Sequence, residues 1–429
     1  MNKSSPPDVD LVIGLCYNLF KLIRNRYMKG VVIINSEMIL IDSIKELELS
    51  VTQYMRIKSS YDALSEELKK NDTEVEVYTQ GSILLGTTIR PYRKNKNVEY
   101  DVDLVAQYPK DKSTLLPQQV RDYVGNTFKQ NGTYASKLLE KKRCWRIEYA
   151  EQEGLGFHAD IVPAIPESQI EIQKILTKPG FEYLADLSVA ITHKDDDDSR
   201  AEWLSCNPKG YGEWFSLIKS EKYRTMIEQK RSTIYMENKD LFSNIDEVPI
   251  QLVKTPMQRV IQLLKRHRDV YFSGKKSEDD KPISIIITTL AAEIVDTLNL
   301  QQLGFVDLLA EVTRALIEVE RLIDNKLYTS YQIRSLIYRK ESEWWIPNPV
   351  NINENFADKW NDNINIPRAF FDWLKALERD IIDNINDKNF HKILCEKLAV
   401  PCKDSSENEE SIISVSSNTS SKPWSRHGK

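Results

Sequence analysis

Three short stretches of this 429-residue chain carry side chains suited to phosphate chemistry: Gly81-Ser82, Asp101-Val102-Asp103, and Asp160 within Phe157-His158-Ala159-Asp160-Ile161-Val162. Successive side chains of a strand alternate between faces, so Asp101 and Asp103 share one face while Val102 and Leu104 turn toward a core. Asp160 sits in a second apolar strand, and if the two strands are neighbours, three carboxylates meet. Like charges that close are costly unless a cation lies between them. Two Mg²⁺ ions, with Mn²⁺ as a substitute, would neutralise the cluster and clamp an attacking hydroxyl and a triphosphate. Gly81-Ser82 would supply the opposite wall, since glycine lets backbone N–H groups approach a phosphate and the serine hydroxyl adds a donor. The chemistry expected is in-line attack on an α-phosphate with pyrophosphate leaving. Singly, a Gly-Ser pair is usually a turn and a strand Asp-x-Asp a solvated face. Their order, and a third aspartate in a separate strand, make the combination specific. His158, on the face of Asp160, reads as a polar neighbour of the carboxylates.

The elements that must position these residues are legible from periodicity. Alternation predicts strands at Val75–Tyr78, Tyr100–Tyr108, Trp145–Tyr149 and Phe157–Val162, the last ended by Pro163 and Pro166. Helices are expected near Pro117–Gln130 and Ser136–Lys142. These imply an α+β lobe over residues 36–190. Apolar residues at helical spacing from Ile41 to Leu68, after a cap at Asn35-Ser36, predict one long spine helix, and Leu11 to Ile23 predicts another helix within an N-terminal segment, 1–35. Beyond residue 200 strand signals fade. Helices expected over Gln251–Phe272, Ile283–Leu298, Phe305–Asn325, Thr329–Tyr338 and Pro367–Asn386 form a helical lobe, 191–402, in which Trp344-Trp345 packs. The serine-rich stretch 403–429 has too little apolar surface to offset ordering entropy and is expected to be a disordered tail.

Composition excludes several classes. Lys+Arg number 59 against 64 Asp+Glu, a net charge of −5, whereas a protein bound to duplex nucleic acid shows a basic excess. No large nucleic-acid surface is expected. Five scattered cysteines read as reduced thiols, not a disulfide framework. His391, Cys395 and Cys402 offer three ligands where a structural zinc usually has four, so none is expected from spacing. Asp195 to Asp198 reads as a solvated loop. The apolar stretch Leu11 to Phe20 follows Asp8 and Asp10, where a signal peptide carries basic residues. No apolar run is long enough to span a bilayer, so no membrane partner and a cytoplasmic location are expected.

Taken together, Gln80-Gly81-Ser82, Gly86-Thr87, Arg90-Pro91, Asp101-Val102-Asp103-Leu104-Val105 and His158-Ala159-Asp160-Ile161-Val162-Pro163-Ala164 resemble the bacterial cGAS/DncV-like nucleotidyltransferases. These are the oligonucleotide cyclases of CBASS anti-phage defence, related to animal cGAS and oligoadenylate synthases. Asn207-Pro208-Lys209-Gly210-Tyr211, Pro256-Met257-Gln258-Arg259, Leu264-Lys265-Arg266-His267-Arg268, Asn348-Pro349 and Glu354-Asn355-Phe356-Ala357-Asp358-Lys359-Trp360 extend the resemblance over most of residues 36–400. It implies a polymerase-β-like nucleotidyltransferase lobe, a helical lobe, and synthesis of a cyclic di- or trinucleotide from nucleoside triphosphates, ATP among them, by a bacterial enzyme acting as a monomer. It also implies that Gln80, Gly81 and Ser82 bind nucleotide, and that Lys265 and Ser284 contact the donor triphosphate. From the residues alone, Lys265 reads as a solvated helix residue and Ser284 as a helix cap. Where relatives carry a base-stacking aromatic after that serine, this chain has Ile285. Some such cyclases are joined through a C-terminal glycine to other molecules by a ubiquitin-activating-type partner. Here Lys429 follows Gly428, so trimming would have to come first. Two other readings fit the same core: an enzyme adding nucleotides to RNA ends, like a poly(A) polymerase, and a catalytically inactive nucleotide-binding module.

Overall fold

A computed structural model describes residues 30–152, 155–194, 201–218, 221–324 and 336–402. The expected helix at Leu11 to Ile23, the acidic run Asp195 to Asp198 and the tail 403–429 lie outside the described residues, as does most of the helix expected at Thr329–Tyr338. That helix's last residue, Tyr338, opens a short strand, Tyr338–Lys340, instead.

Among the described residues seven strands form one sheet: β1 (Glu76–Thr79), β2 (Tyr100–Gln107), β3 (Leu138–Glu140), β4 (Trp145–Gln152), β5 (Leu155–Pro166), β6 (Val189–His193) and β7 (Glu202–Cys206). The spatial order is β1-β2-β5-β4-β3, with β6 pairing β5 and β7 pairing β6. Among these described strands β2 and β5 run parallel and the other pairs are antiparallel. Val102 and Leu104 of β2 and Ala159 and Ile161 of β5 are buried, in a cluster with Val120, Val124 and Phe128. Those three lie on α4 (Pro117–Lys129), the fourth helix after α1 (Gly30–Lys45), α2 (Val51–Lys69) and α3 (Gly81–Leu85).

Several expectations are corrected. Residues 138–140, expected as helix, pair with β4 as an edge strand, preceded by a short 3₁₀ turn. Strand structure does not end near 200, because β7 extends the sheet to Cys206. The last expected strand runs through Pro163 to Pro166. Pro163 falls where β5 changes partners on one edge: β4 pairs as far as Ile161 and β6 begins at Ala164. The missing N–H therefore removes no ladder bond there.

The spine is divided. Helix α1 ends at Lys45 and α2 starts at Val51, and the two halves serve different cores: Leu40 and Ile44 pack with the helical residues, Ile57, Leu64 and Leu68 against the sheet. A capping box makes the break. Ser50 Oγ accepts from Gln53 N and Gln53 Oε1 accepts from Ser50 N, both at 3.1 Å, so two donors at a helix start are satisfied reciprocally. The Leu47 carbonyl between the halves accepts from Arg90 N and the Tyr100 hydroxyl. Ser50→Ala should lower the stability of this junction by about 1 kcal/mol. Thermal unfolding checks it, with Ser50→Thr expected to restore most of the loss.

After β7 the chain is mainly helical: α5 (Pro208–Leu217), α6 (Glu221–Glu237), α7 (Pro256–Phe272), α8 (Ser284–Thr297), α9 (Phe305–Asp324), α10 (Asn365–Leu377) and α11 (Phe390–Leu398). Val260 and Leu264 of α7, Leu290 of α8, Val312 of α9, Trp373 of α10 and Leu394 of α11 are fully buried together. Trp344 joins them against Trp360 and Phe371. Among the described residues no helix is long and apolar enough to cross a membrane.

Candidate active site

Parallel pairing of β2 with β5 aligns Asp101 with His158 and Asp103 with Asp160. Period-2 alternation then puts all three aspartates on one face of adjacent strands. Burial pushes the Asp103 carboxyl up, and the neighbouring charges of Asp101 and Asp160 push it further, to about 7. Each carboxylate beside it has a basic partner. His158 Nε2 lies 2.5 Å from Asp101 Oδ1. Burial opposes the charged form of Asp101, yet the imidazole outweighs it and holds that carboxyl below its usual range. His158 is raised in turn, because Asp101 overcomes the desolvation that would lower it.

Asp160 is gripped from the other side. Arg146 stands opposite it across the β4–β5 pair, and Nε and Nη2 donate to its two carboxylate oxygens at 2.7 Å each. A bidentate guanidinium fixes both the position and the plane of a carboxylate. It uses one acceptor site on each oxygen and leaves others for a second cation. Arg146 was not singled out from sequence, although its place two residues into the strand Trp145–Tyr149 puts it on a face that antiparallel pairing could bring to Asp160.

The opposite wall is the turn from β1 into α3. Gln80 N donates to Asp103 O at 2.9 Å, tying the turn to the aspartate strand. Gly81 has φ +58, and a Cβ there would stand 2.7 Å from Asp103 Oδ2. Both facts demand glycine: the left-handed backbone, and a carboxylate where a side chain would be. Ser82 Oγ accepts from Thr88 Oγ1 at 3.2 Å.

One face of α7 holds the segment that follows. Gln258 Nε2 donates to Leu85 O at 2.8 Å, Gln262 Nε2 to Thr88 O at 2.9 Å, Lys265 Nζ to Thr87 O at 3.0 Å and Arg266 Nη1 to Arg90 O at 3.1 Å. Positions 258, 262, 265 and 266 form one helical stripe. A row of carbonyls from residues 85–90 is thus gripped by a row of donors. This polar stripe escaped the sequence reading, which looks for apolar periodicity.

Lys265 is not a solvated surface residue. Burial, then the Arg268 charge, lower its ammonium to about 8, against the pull of Asp269, Asp101 and Asp103. Ser284 opens α8, where Ile283 is the cap, and its hydroxyl accepts from Arg268 Nη1 at 3.1 Å. The same nitrogen donates to Pro282 O, while Nε and Nη2 hold Asp269 Oδ1. The structure therefore gathers Gln80, Gly81, Ser82, Asp101, Asp103 and Asp160 where one face of β2 and β5 meets the turn after β1, with Lys265 within electrostatic reach of Asp101 and Asp103. Ser284 is joined to that helix through Arg268.

Comparisons with known proteins agree with this architecture. Residues 36–178 match the family described as the Second Messenger Oligonucleotide or Dinucleotide Synthetase domain. A curated protein of Roseivirga ehrenbergii named c-di-GMP synthase is 27% identical over 341 residues, covering 78% of this chain and 75% of the relative. Among solved structures, the CD-NTase CdnG of Bradyrhizobium diazoefficiens, in complex with GTP, superposes with a TM-score of 0.58 at 17% identity. That match covers 85% of this chain and 98% of the other, and it speaks for the fold alone. The chain is thus similar to the bacterial cGAS/DncV-like nucleotidyltransferases, enzymes that synthesise cyclic oligonucleotides, with the matched domain confined to residues 36–178.

Proposed function

We propose that this enzyme joins nucleoside triphosphates into a cyclic dinucleotide second messenger for antiviral defence, acting as a cytoplasmic monomer, with Asp101, Asp103 and Asp160 holding Mg²⁺. The observation that carries this reading is the β2–β5 register, which sets Asp103 beside Asp160 with Asp101 on the same face. The donor set suits a hard divalent ion, since all three ligands are carboxylate oxygens. The electrostatics suit it as well, because burial and then two neighbouring carboxylates drive Asp103 toward its protonated form, and a cation would neutralise the cluster. When bound, the metal supplies charge neutralisation at the triphosphate and lowers the pKa of the attacking hydroxyl.

The protein's own groups position and screen. The first N–H groups of any helix lack intrahelical acceptors, so the Gly81-Ser82 turn offers amides to phosphate oxygens. Arg146 keeps Asp160 aimed at the cluster. Lys265, already partly desolvated, gives its ammonium to the triphosphate, and Ser284 adds a hydroxyl steadied by Arg268. The name of the Roseivirga relative, c-di-GMP synthase, supports GTP as a substrate alongside the ATP that the family resemblance implies. The test is incubation of the pure protein with labelled ATP, GTP, CTP and UTP plus Mg²⁺. A phosphatase-resistant cyclic product containing guanine supports the reading. Extension of an added RNA would transfer the enzyme to the RNA-end class, and absence of any product would leave a nucleotide-binding module.

Lys265→Ala should weaken apparent nucleotide affinity by roughly ten- to a hundredfold, the worth of about 1.5–3 kcal/mol for a charged hydrogen bond. Measured KM for GTP and ATP checks it. A changed melting temperature with unchanged KM would reduce Lys265 to a tether for Thr87. A ubiquitin-activating-type partner acting on the tail is likewise proposed. Removal of residues 405–429 should leave purified-enzyme activity unchanged and abolish any higher-mass conjugates in cells.

A further inference from the structure

Far along the chain, three metal-ligating side chains converge outside the nucleotide site. His391 and Cys395 lie four residues apart on α11, so they project from the same face. At the end of this helix Ala399 takes a left-handed conformation, φ 46 and ψ 52, an arrangement that costs a non-glycine residue about 1–2 kcal/mol. The turn reverses the chain, with Val400 N donating to Cys395 O at 3.0 Å. Cys402 is thereby carried back over the helix, its Sγ 3.9 Å from His391 Nδ1. One ligand atom from each of His391, Cys395 and Cys402 lies within 4.8 Å of the other two. The reversal is fixed from beneath by the buried Arg266 guanidinium, which donates to Leu398 O at 2.6 Å and Ala399 O at 2.9 Å.

We propose that His391, Cys395 and Cys402 form a site for a thiophilic divalent ion, zinc, with a fourth position open to water. Tetrahedral zinc, with Zn–S of about 2.3 Å and Zn–N of about 2.0–2.1 Å, sets its ligand atoms roughly 3.5–3.8 Å apart. The observed separations, 3.9 Å for Cys402 Sγ–His391 Nδ1 and no more than 4.8 Å between any pair, lie within about 1 Å of that range. One imidazole and two thiols are soft ligands that select zinc over magnesium, so the site does not compete with the carboxylate cluster for the same ion. Binding would release the two thiol protons to solvent. Cys395 is buried and Cys402 exposed, so the open position faces outward. A bound ion would pin the chain at residue 402 to α11. Through Arg266 it would also pin it to α7, the helix whose donors hold residues 85–90.

Cobalt(II) is the probe, added to the full-length protein with all thiols reduced and with excess Mg²⁺ on the carboxylates. One equivalent should produce thiolate-to-cobalt charge transfer and the visible bands of a tetrahedral site, and one equivalent of zinc should erase them. Cys402→Ser, at an exposed position, and His391→Gln should each weaken cobalt binding by more than roughly 100-fold, beyond the loss of an outer hydrogen-bond partner. The proposal is overturned if no charge-transfer band forms even in large excess of cobalt. It is equally overturned if the band survives in Cys402→Ser, or if Cys395 and Cys402 are disulfide-linked in protein isolated without reductant.

Discussion

Replacing Asp103 with Asn is expected to cut product formation in Mg²⁺ by about a thousandfold or more. A metal ligand at the reacting phosphate is worth several kcal/mol of transition-state charge stabilisation, and each 1.4 kcal/mol is a factor of ten in rate. The same substitution should leave the metal-free fold intact and more stable near neutral pH. Burial and the two flanking carboxylates raise the folded-state pKa of Asp103 to about 7, above the value of about 3.9 in an unfolded chain. Between those values the native state holds a proton that the unfolded state has lost, so stability falls as pH rises through that window. Asn cannot ionise and escapes the loss. The melting temperature of Asp103→Asn should therefore exceed wild type at pH 7 to 8 without metal, and the gap should close toward pH 4. Added Mg²⁺ should stabilise wild type and leave the variant unmoved. Thermal scans at several pH values, paired with product assays, check both halves. A variant that melts lower at neutral pH would contradict the electrostatic account of the cluster.

Gly81→Ala carries the second-largest expected effect. The new Cβ would meet Asp103 Oδ2 at 2.7 Å, and its backbone would stay at φ +58. Left-handed strain costs about 1–2 kcal/mol, a modest part of the stability of a domain. The larger consequence is displacement of the carboxylate, and a misplacement of 1 Å in a reacting geometry costs on the order of a hundredfold. Activity should thus fall about a hundredfold while the protein remains folded. Gly86→Ala provides a control, because a Cβ there meets Gln258 Nε2 at 2.6 Å and no aspartate is among its nearest neighbours. Equal losses in the two variants would show general disruption of the α3 turn, not a clash at Asp103.

The core of the site was legible because it depends on local alternation. Asp101, Val102, Asp103 and Leu104 declare by type which face they occupy, and β2 obeys that pattern. Alternation leaves open which strand lies beside β2, and only the structure pairs it with β5. What stayed hidden depends on partners distant in sequence. Arg146 is one strand residue among many until antiparallel register sets it opposite Asp160. Gln258 and Gln262 are amides on a helix until residues 85–90 bring carbonyls to them. The break between α1 and α2 is different, since Ser50-Val51-Thr52-Gln53 is a capping-box signature readable from sequence. There the continuous apolar period overrode a visible stop. Leu138–Glu140 looked helical because an edge strand of three residues is too short for alternation to register.

The most direct test of the central claim is a crystal structure of the protein with a non-hydrolysable GTP analogue and Mg²⁺. The account predicts metal coordinated by Asp101, Asp103 and Asp160, triphosphate oxygens on the Gly81-Ser82 turn, and Lys265 Nζ turned from Thr87 O to phosphate. Arg146 should stay on Asp160, sharing its oxygens with the metal. Triphosphate bound elsewhere, or metal absent from the three aspartates while nucleotide is present, would contradict it.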